Sequence, residues 1–107
     1  MTFAALRSLG LAVAATIFLA TVSARAEEHT VTIDNSTFTP AQLGVKVGDT
    51  VTWTNHDDIP HTVVSAGKFR AKAMDTDGTF SFTFTSAGDY KYFCSLHPHM
   101  TGMITVE

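Results

Sequence analysis

The chain holds a single cysteine, Cys94. An internal disulfide is therefore excluded, and the thiol must stay free, bridge to another chain or bind a metal. Charge is sparse as well: charged residues make up 16% of the sequence, against roughly 25% in an average soluble domain. Basic residues number 7 and acidic residues 10, for a formal net charge of −3. That balance offers no broad basic face and argues against a nucleic-acid binder. Beyond Ala26, apolar residues never recur at helical intervals, and no internal repeat or low-complexity tract is present. Those absences exclude a helical bundle and a solenoid.

The one long apolar run lies at the start. Leu9 to Val22 is apolar apart from Thr16 and Thr21, Arg7 precedes it, and Ala24-Arg25-Ala26 follows. A basic start, an apolar middle and a small-x-small end predict a secretory signal peptide over residues 1–26, cleaved after Ala26. The rival, an uncleaved anchor, needs about 20 apolar residues and finds fewer here. The expected domain is residues 27–107, exported to the periplasm. Loss of Arg7 and Arg25 takes its net charge from −3 to −5. A domain this small gains from a metal clip.

The expected domain reads as β throughout. Val31 and Ile33 alternate with polar neighbours, as do Leu43, Val45 and Val47, then Val51 and Trp53. Phe80, Phe82 and Phe84 form the clearest stripe, and further strands are expected over Tyr90–Phe93 and Ile104–Val106. His61 to Ser65 is a short β-branched run. Period-two patterning sends one face of each strand into a common core, with Trp53 and the phenylalanines as its bulk. Gly44 weakens its strand and is a candidate bulge. Turn residues separate the runs at Asp34-Asn35-Ser36, Gly48-Asp49, Asp75–Gly78 and Ser86–Asp89. Short strands at this spacing predict an all-β fold, a Greek-key antiparallel β-sandwich or flattened barrel.

Chemistry concentrates near the end, in Phe93-Cys94-Ser95-Leu96-His97-Pro98-His99-Met100-Thr101-Gly102. One thiolate, two imidazoles and a weak thioether make a blue-copper electron-transfer centre, a geometry acceptable to both Cu(I) and Cu(II). Cys94, His97 and Met100 stand at intervals of three, so one tight loop can present all three, and His61 supplies the second imidazole from another strand. Met103 competes with Met100 for the weak position but begins the last expected strand. His29 and His56 read as lone exposed histidines. Three other readings are weaker. A buried core thiol needs no such partners, and a catalytic Cys–His pair needs a third group to orient it. Structural zinc, with His99 as fourth ligand, has to explain the methionine, which zinc binds poorly.

The run Pro60-His61, followed by Ala87-Gly88-x-Tyr90-x-Tyr92-x-Cys94-x-x-His97-x-x-Met100-x-Gly102, resembles the cupredoxin family of blue copper proteins. The likeness extends over the expected domain, including Phe38-x-Pro40 and the Val47-Gly48-Asp49 turn into Trp53. It is strongest with the branch whose histidine-to-methionine interval is short. The resemblance implies one copper ion held by His61, Cys94, His97 and Met100 at one end of a β-sandwich. Two positions depart from that branch: Thr62 stands where it has asparagine, and Leu96 where it has proline. Leu96 has the N–H that proline lacks, so a donor to the Cys94 sulfur is expected there.

The function expected is a monomeric periplasmic electron carrier, not an enzyme. Its implied partners are redox proteins, a dehydrogenase as donor and a c-type cytochrome as acceptor. Electrons are expected to pass through His97, with docking on Leu96 and Pro98 and steering by Lys68, Arg70 and Lys72. The alternative is a copper carrier or resistance protein, which Met74, His99 and Met103 keep open.

Overall fold

The computed structural model describes residues 25–107, so the expected signal peptide lies almost wholly outside the described residues. Among the described residues the chain forms nine strands and no helix: β1 (Glu28–Asp34), β2 (Thr37–Thr39), β3 (Gln42–Val45), β4 (Thr50–Asn55), β5 (Val64–Ser65), β6 (Phe69–Arg70), β7 (Thr79–Thr83), β8 (Gly88–Cys94) and β9 (His97–Val106). They build two sheets, in the orders β2-β1-β4-β7 and β3-β9-β8-β5-β6. The expected β-sandwich is therefore present. Two of its pairs run parallel, β1 with β4 and β3 with β9, and the remaining pairs are antiparallel.

Alternation fixes which side chains face inward. Val31 and Ile33 of β1, Val51 and Trp53 of β4, and Ile104 and Val106 of β9 are all buried. Trp53 sits centrally, with its ring 5.3 Å from Tyr92 of the other sheet and 5.7 Å from Phe80 of its own. The phenylalanine stripe joins this core as expected: Phe84 is fully buried, and Phe80 and Phe82 pack against it. Each fully buried aromatic or aliphatic side chain contributes about 1.5–3 kcal/mol through loss of apolar surface from water. Along β8 the same period buries Tyr90, Tyr92 and then Cys94. The cysteine thus points inward because it continues a strand pattern.

Several expectations need correction. β9 is not a short closing strand after a loop; it begins at His97, and His97 already pairs with Cys94 across a two-residue turn, Ser95-Leu96. Pro98 fits inside it because β9 has only β8 as neighbour there; its second neighbour, β3, pairs from Met103 onward. Gly44 is no bulge, since it pairs in register with Thr105. The irregularity lies between the Phe93↔Thr101 and Cys94↔His97 pairs, where β9 carries Pro98, His99 and Met100 as extra residues. His61 to Ser65 is strand only at Val64–Ser65, and His61 makes an isolated bridge to Met74. Gly102 pairs with Tyr92, and a Cβ at Gly102 would collide with the Tyr92 ring.

Candidate metal centre

Four pieces of chain converge beyond the Asn55 end of β4. The first is the β1–β2 hairpin, whose two turn residues, Asn35 and Ser36, have φ of 51° and 53°. Such a primed turn suits the twist of a hairpin but leaves its N–H groups facing outward. Asp57 takes both of them, from Asn35 at 2.6 Å and from Ser36 at 2.9 Å. The second piece is the loop after β4. Buried Asn55 shapes it, donating to the carbonyls of Ile59 and Met74 and accepting from the N–H of Asp57. That loop delivers His61. The third and fourth pieces are the end of β8, with Cys94, and the start of β9, with His97.

His61 is fully buried. Its Nε2 stands 2.7 Å from Asp57 Oδ2. A carboxylate at that distance takes the N–H and leaves Nδ1 as a lone pair. The N–H of Ser36 is the main cause holding the Asp57 carboxyl below its usual range, opposed by partial burial and helped by His61 and Asn35. Nδ1 of His61 then faces the Cys94 sulfur at 3.7 Å, and Nδ1 of His97 faces the same sulfur at 3.6 Å. The two rings lie 4.9 Å apart. Two imidazole nitrogens and one sulfur, all ligands for a soft metal, thus crowd together.

The sulfur has donors of its own. The N–H of Thr62 reaches it at 3.3 Å and the Thr62 hydroxyl at 3.7 Å. Burial pushes the Cys94 thiol up, and the Thr62 N–H is the main cause that brings it down, to about 6. Thr62 also ties the ligand segments together, accepting from the Ser95 N–H at 2.7 Å and sharing a hydrogen bond with the Ser95 hydroxyl at 2.8 Å. The donor expected from Leu96 is not seen: among the described residues the backbone N–H at the sulfur is Thr62's, and Leu96 occupies the exposed turn.

Bonds of about 2.0–2.1 Å to imidazole and about 2.3 Å to thiolate, in a flat arrangement, put nitrogen and sulfur about 3.7–3.8 Å apart. The observed separations of 3.7 and 3.6 Å fit one soft metal ion shared by the three. Met100 is buried in the same cluster as Cys94, carried inward by the β9 irregularity. His99 is exposed and outside the donor group, which removes the fourth ligand that structural zinc required. His97 is half-buried. Asp57, Asn55 and the Thr62–Ser95 pair were missed by sequence reasoning. Asp57 lies four residues before His61, but without a helix that spacing carries no signal. His29, read as lone and exposed, is instead half-buried against Asp49 at 3.0 Å.

A β-sandwich with a buried thiolate between two imidazoles at one end defines a type 1 metal site. The chain belongs to the cupredoxin family: a model of the cupredoxin-like domain matches residues 8–106. It is similar to amicyanin from Paracoccus denitrificans, at 42% identity over 72 residues, which cover 62% of this chain and 55% of that protein. It is similar to amicyanin-alpha from Methylorubrum extorquens, at 31% identity over 95% of this chain and 100% of that one. A solved Cu(I) structure of an amicyanin variant superposes with a TM-score of 0.72 at 36% identity, covering 75% of this chain and 82% of that one.

Proposed function

We propose that His61, Cys94, His97 and Met100 bind one copper ion, with which the protein carries single electrons between larger redox proteins of the periplasm. The observation behind this reading is the approach of two imidazole Nδ1 atoms to the Cys94 sulfur, at 3.7 and 3.6 Å. Copper, when bound, supplies a centre that gains and loses one electron. The protein's residues keep that centre from rearranging. Asp57 fixes the ring of His61, Thr62 holds the sulfur from the side, and the Thr62–Ser95 bonds join the two ligand segments. Three protein ligands and a buried thioether leave little room for a substrate, so the chain is an electron carrier and not an enzyme.

His97 is the half-exposed ligand, whereas His61 is buried, so electrons cross at His97. Beside it in the chain stand Leu96, 51% exposed, and Pro98, also exposed. An apolar surface of this kind suits the small, quickly released contacts of redox encounters. Lys68, Arg70 and Lys72 are all exposed on and beside β6 and steer an acidic partner during approach. A dehydrogenase donor and a c-type cytochrome acceptor fit this role.

Oxidised copper-loaded protein should be intensely blue. Cys94→Ser should abolish that absorption and keep the β circular dichroism; a blue Cys94→Ser protein overturns the ligand assignment. Leu96→Glu should leave the colour unchanged and slow second-order transfer to a partner several-fold. An unchanged rate rules out this docking face.

A further inference from the structure

The other end of β4 carries a second buried anion. Asp49, only 4% exposed, sits in the turn made by Gly48 at φ 98°. Its Oδ1 accepts the N–H of Glu27 at 2.9 Å, and its Oδ2 accepts the N–H of Lys46 at 3.0 Å and faces His29 Nε2 at 3.0 Å. These three contacts, in that order, hold the carboxyl down at about 2, so it is an anion at any ordinary pH. A buried carboxylate is held more strongly when one of its donors carries a full positive charge. In the uncleaved chain this one meets two neutral backbone N–H groups and an imidazole, with the Glu27 carboxylate within 4.8 Å.

The nitrogen nearest Oδ1 belongs to Glu27, the residue on which the expected signal cleavage would leave a new N-terminus. Arg25 and Ala26 before it are exposed and outside every strand. The position of Glu27 does not depend on them: its carbonyl accepts the N–H of Thr50 at 3.0 Å, and β1 begins at the next residue.

We propose that Asp49 is the receptor for the α-ammonium group that cleavage after Ala26 creates on Glu27, so that trimming locks the folded domain. The proposal rests on that cleavage reading. On cleavage a neutral amide N–H becomes an ammonium in the same place. A free α-amine is protonated near neutral pH, and a charge-assisted hydrogen bond is roughly twice as strong as a neutral one. The trimmed chain is then held more tightly than its precursor at the end of β1, far along β4 from the metal ligands. The Lys46 N–H and His29 stay as the other partners of the carboxylate.

Every described strand lies between Glu28 and Val106, so a chain from Glu27 contains the whole folded unit. The test compares copper-loaded chains beginning at Glu27 and at Ser23, each released from an N-terminal fusion without extra residues. The Glu27 chain should melt about 4–8 °C higher, and Asp49→Asn should erase the gap. Equal melting temperatures, or a gap that survives Asp49→Asn, overturn the proposal. Should Asp49→Asn fail to fold, the rate of acylation of the terminal amine at neutral pH decides. It should be about tenfold slower in the Glu27 chain, the factor that one unit of raised amine pKa gives; equal rates overturn the proposal. The mass of the protein recovered from the periplasm reports separately on cleavage. A first residue other than Glu27 removes the cleavage reading and, with it, the clasp in the cell.

Discussion

The two ends of β4 each gather histidine against a buried acidic side chain, and they do it in different ways. At the Thr50 end, Asp49 accepts hydrogen bonds of 2.9 and 3.0 Å from backbone N–H groups and meets His29 at 3.0 Å. Its lone pairs find donors, and the arrangement is closed. At the Asn55 end, the Cys94 sulfur meets two imidazole nitrogens at 3.7 and 3.6 Å. Those contacts bring two imidazole nitrogens to one sulfur, and Asp57 sets the ring of His61 by taking its other nitrogen. A closed cluster adds stability to a fold. A cluster of imidazole nitrogens around one cysteine sulfur suits a soft metal ion. The difference separates a structural histidine–carboxylate pair from a metal centre within one small domain.

The sharpest way to break this contrast is to free His61. Asp57→Ala removes the carboxylate that fixes its ring, and copper affinity should fall about 10–100-fold, the usual effect of losing a partner behind a ligand. Competition with a chelator of known affinity measures it, and an unchanged affinity would mean that His61 needs no such orientation. A smaller effect is expected at the thioether. Met100→Leu should raise the reduction potential by removing a donor that favours Cu(II), and Met103→Leu should change it little. Voltammetry of both variants settles the assignment, and the reverse pattern would place Met103 at the metal.

The smallest effect belongs to the closed end. The Asp49 carboxyl is lowered from 3.8 to about 2 in the folded chain. A depressed carboxyl adds stability above its unfolded value, and that stability is lost as pH falls through the folded value. Wild type should therefore exceed Asp49→Asn in melting temperature at pH 5, with the difference shrinking between about pH 4 and 2. A difference that stays constant down to pH 2 would show that Asp49 acts through shape alone.

The convergence of His61, Cys94 and His97 was legible because one cysteine with histidine and methionine at short intervals has few other uses. The β-sandwich was legible because alternation in β1, β4 and β8 states which face is inside. The extent of β9 was not, since Pro98 and Gly102 read as loop residues. Pro98 is tolerated because β9 lacks a second neighbour there, and Gly102 is required by the Tyr92 ring opposite it. Both facts are tertiary. Asp57 and Thr62 were hidden for the same reason. Each acts on a group its own sequence neighbourhood does not announce: Asp57 on the turn at Asn35 and Ser36, Thr62 on Cys94 and Ser95.

The three converging donors, as the inner shell of one copper ion, should hold still while its charge changes. X-ray absorption of the copper-loaded protein, recorded oxidised and reduced, tests it most directly. One short sulfur and two imidazole nitrogens should surround copper in both states, with nearly the same distances. A shell without sulfur, or one that loses a histidine on reduction, would contradict it.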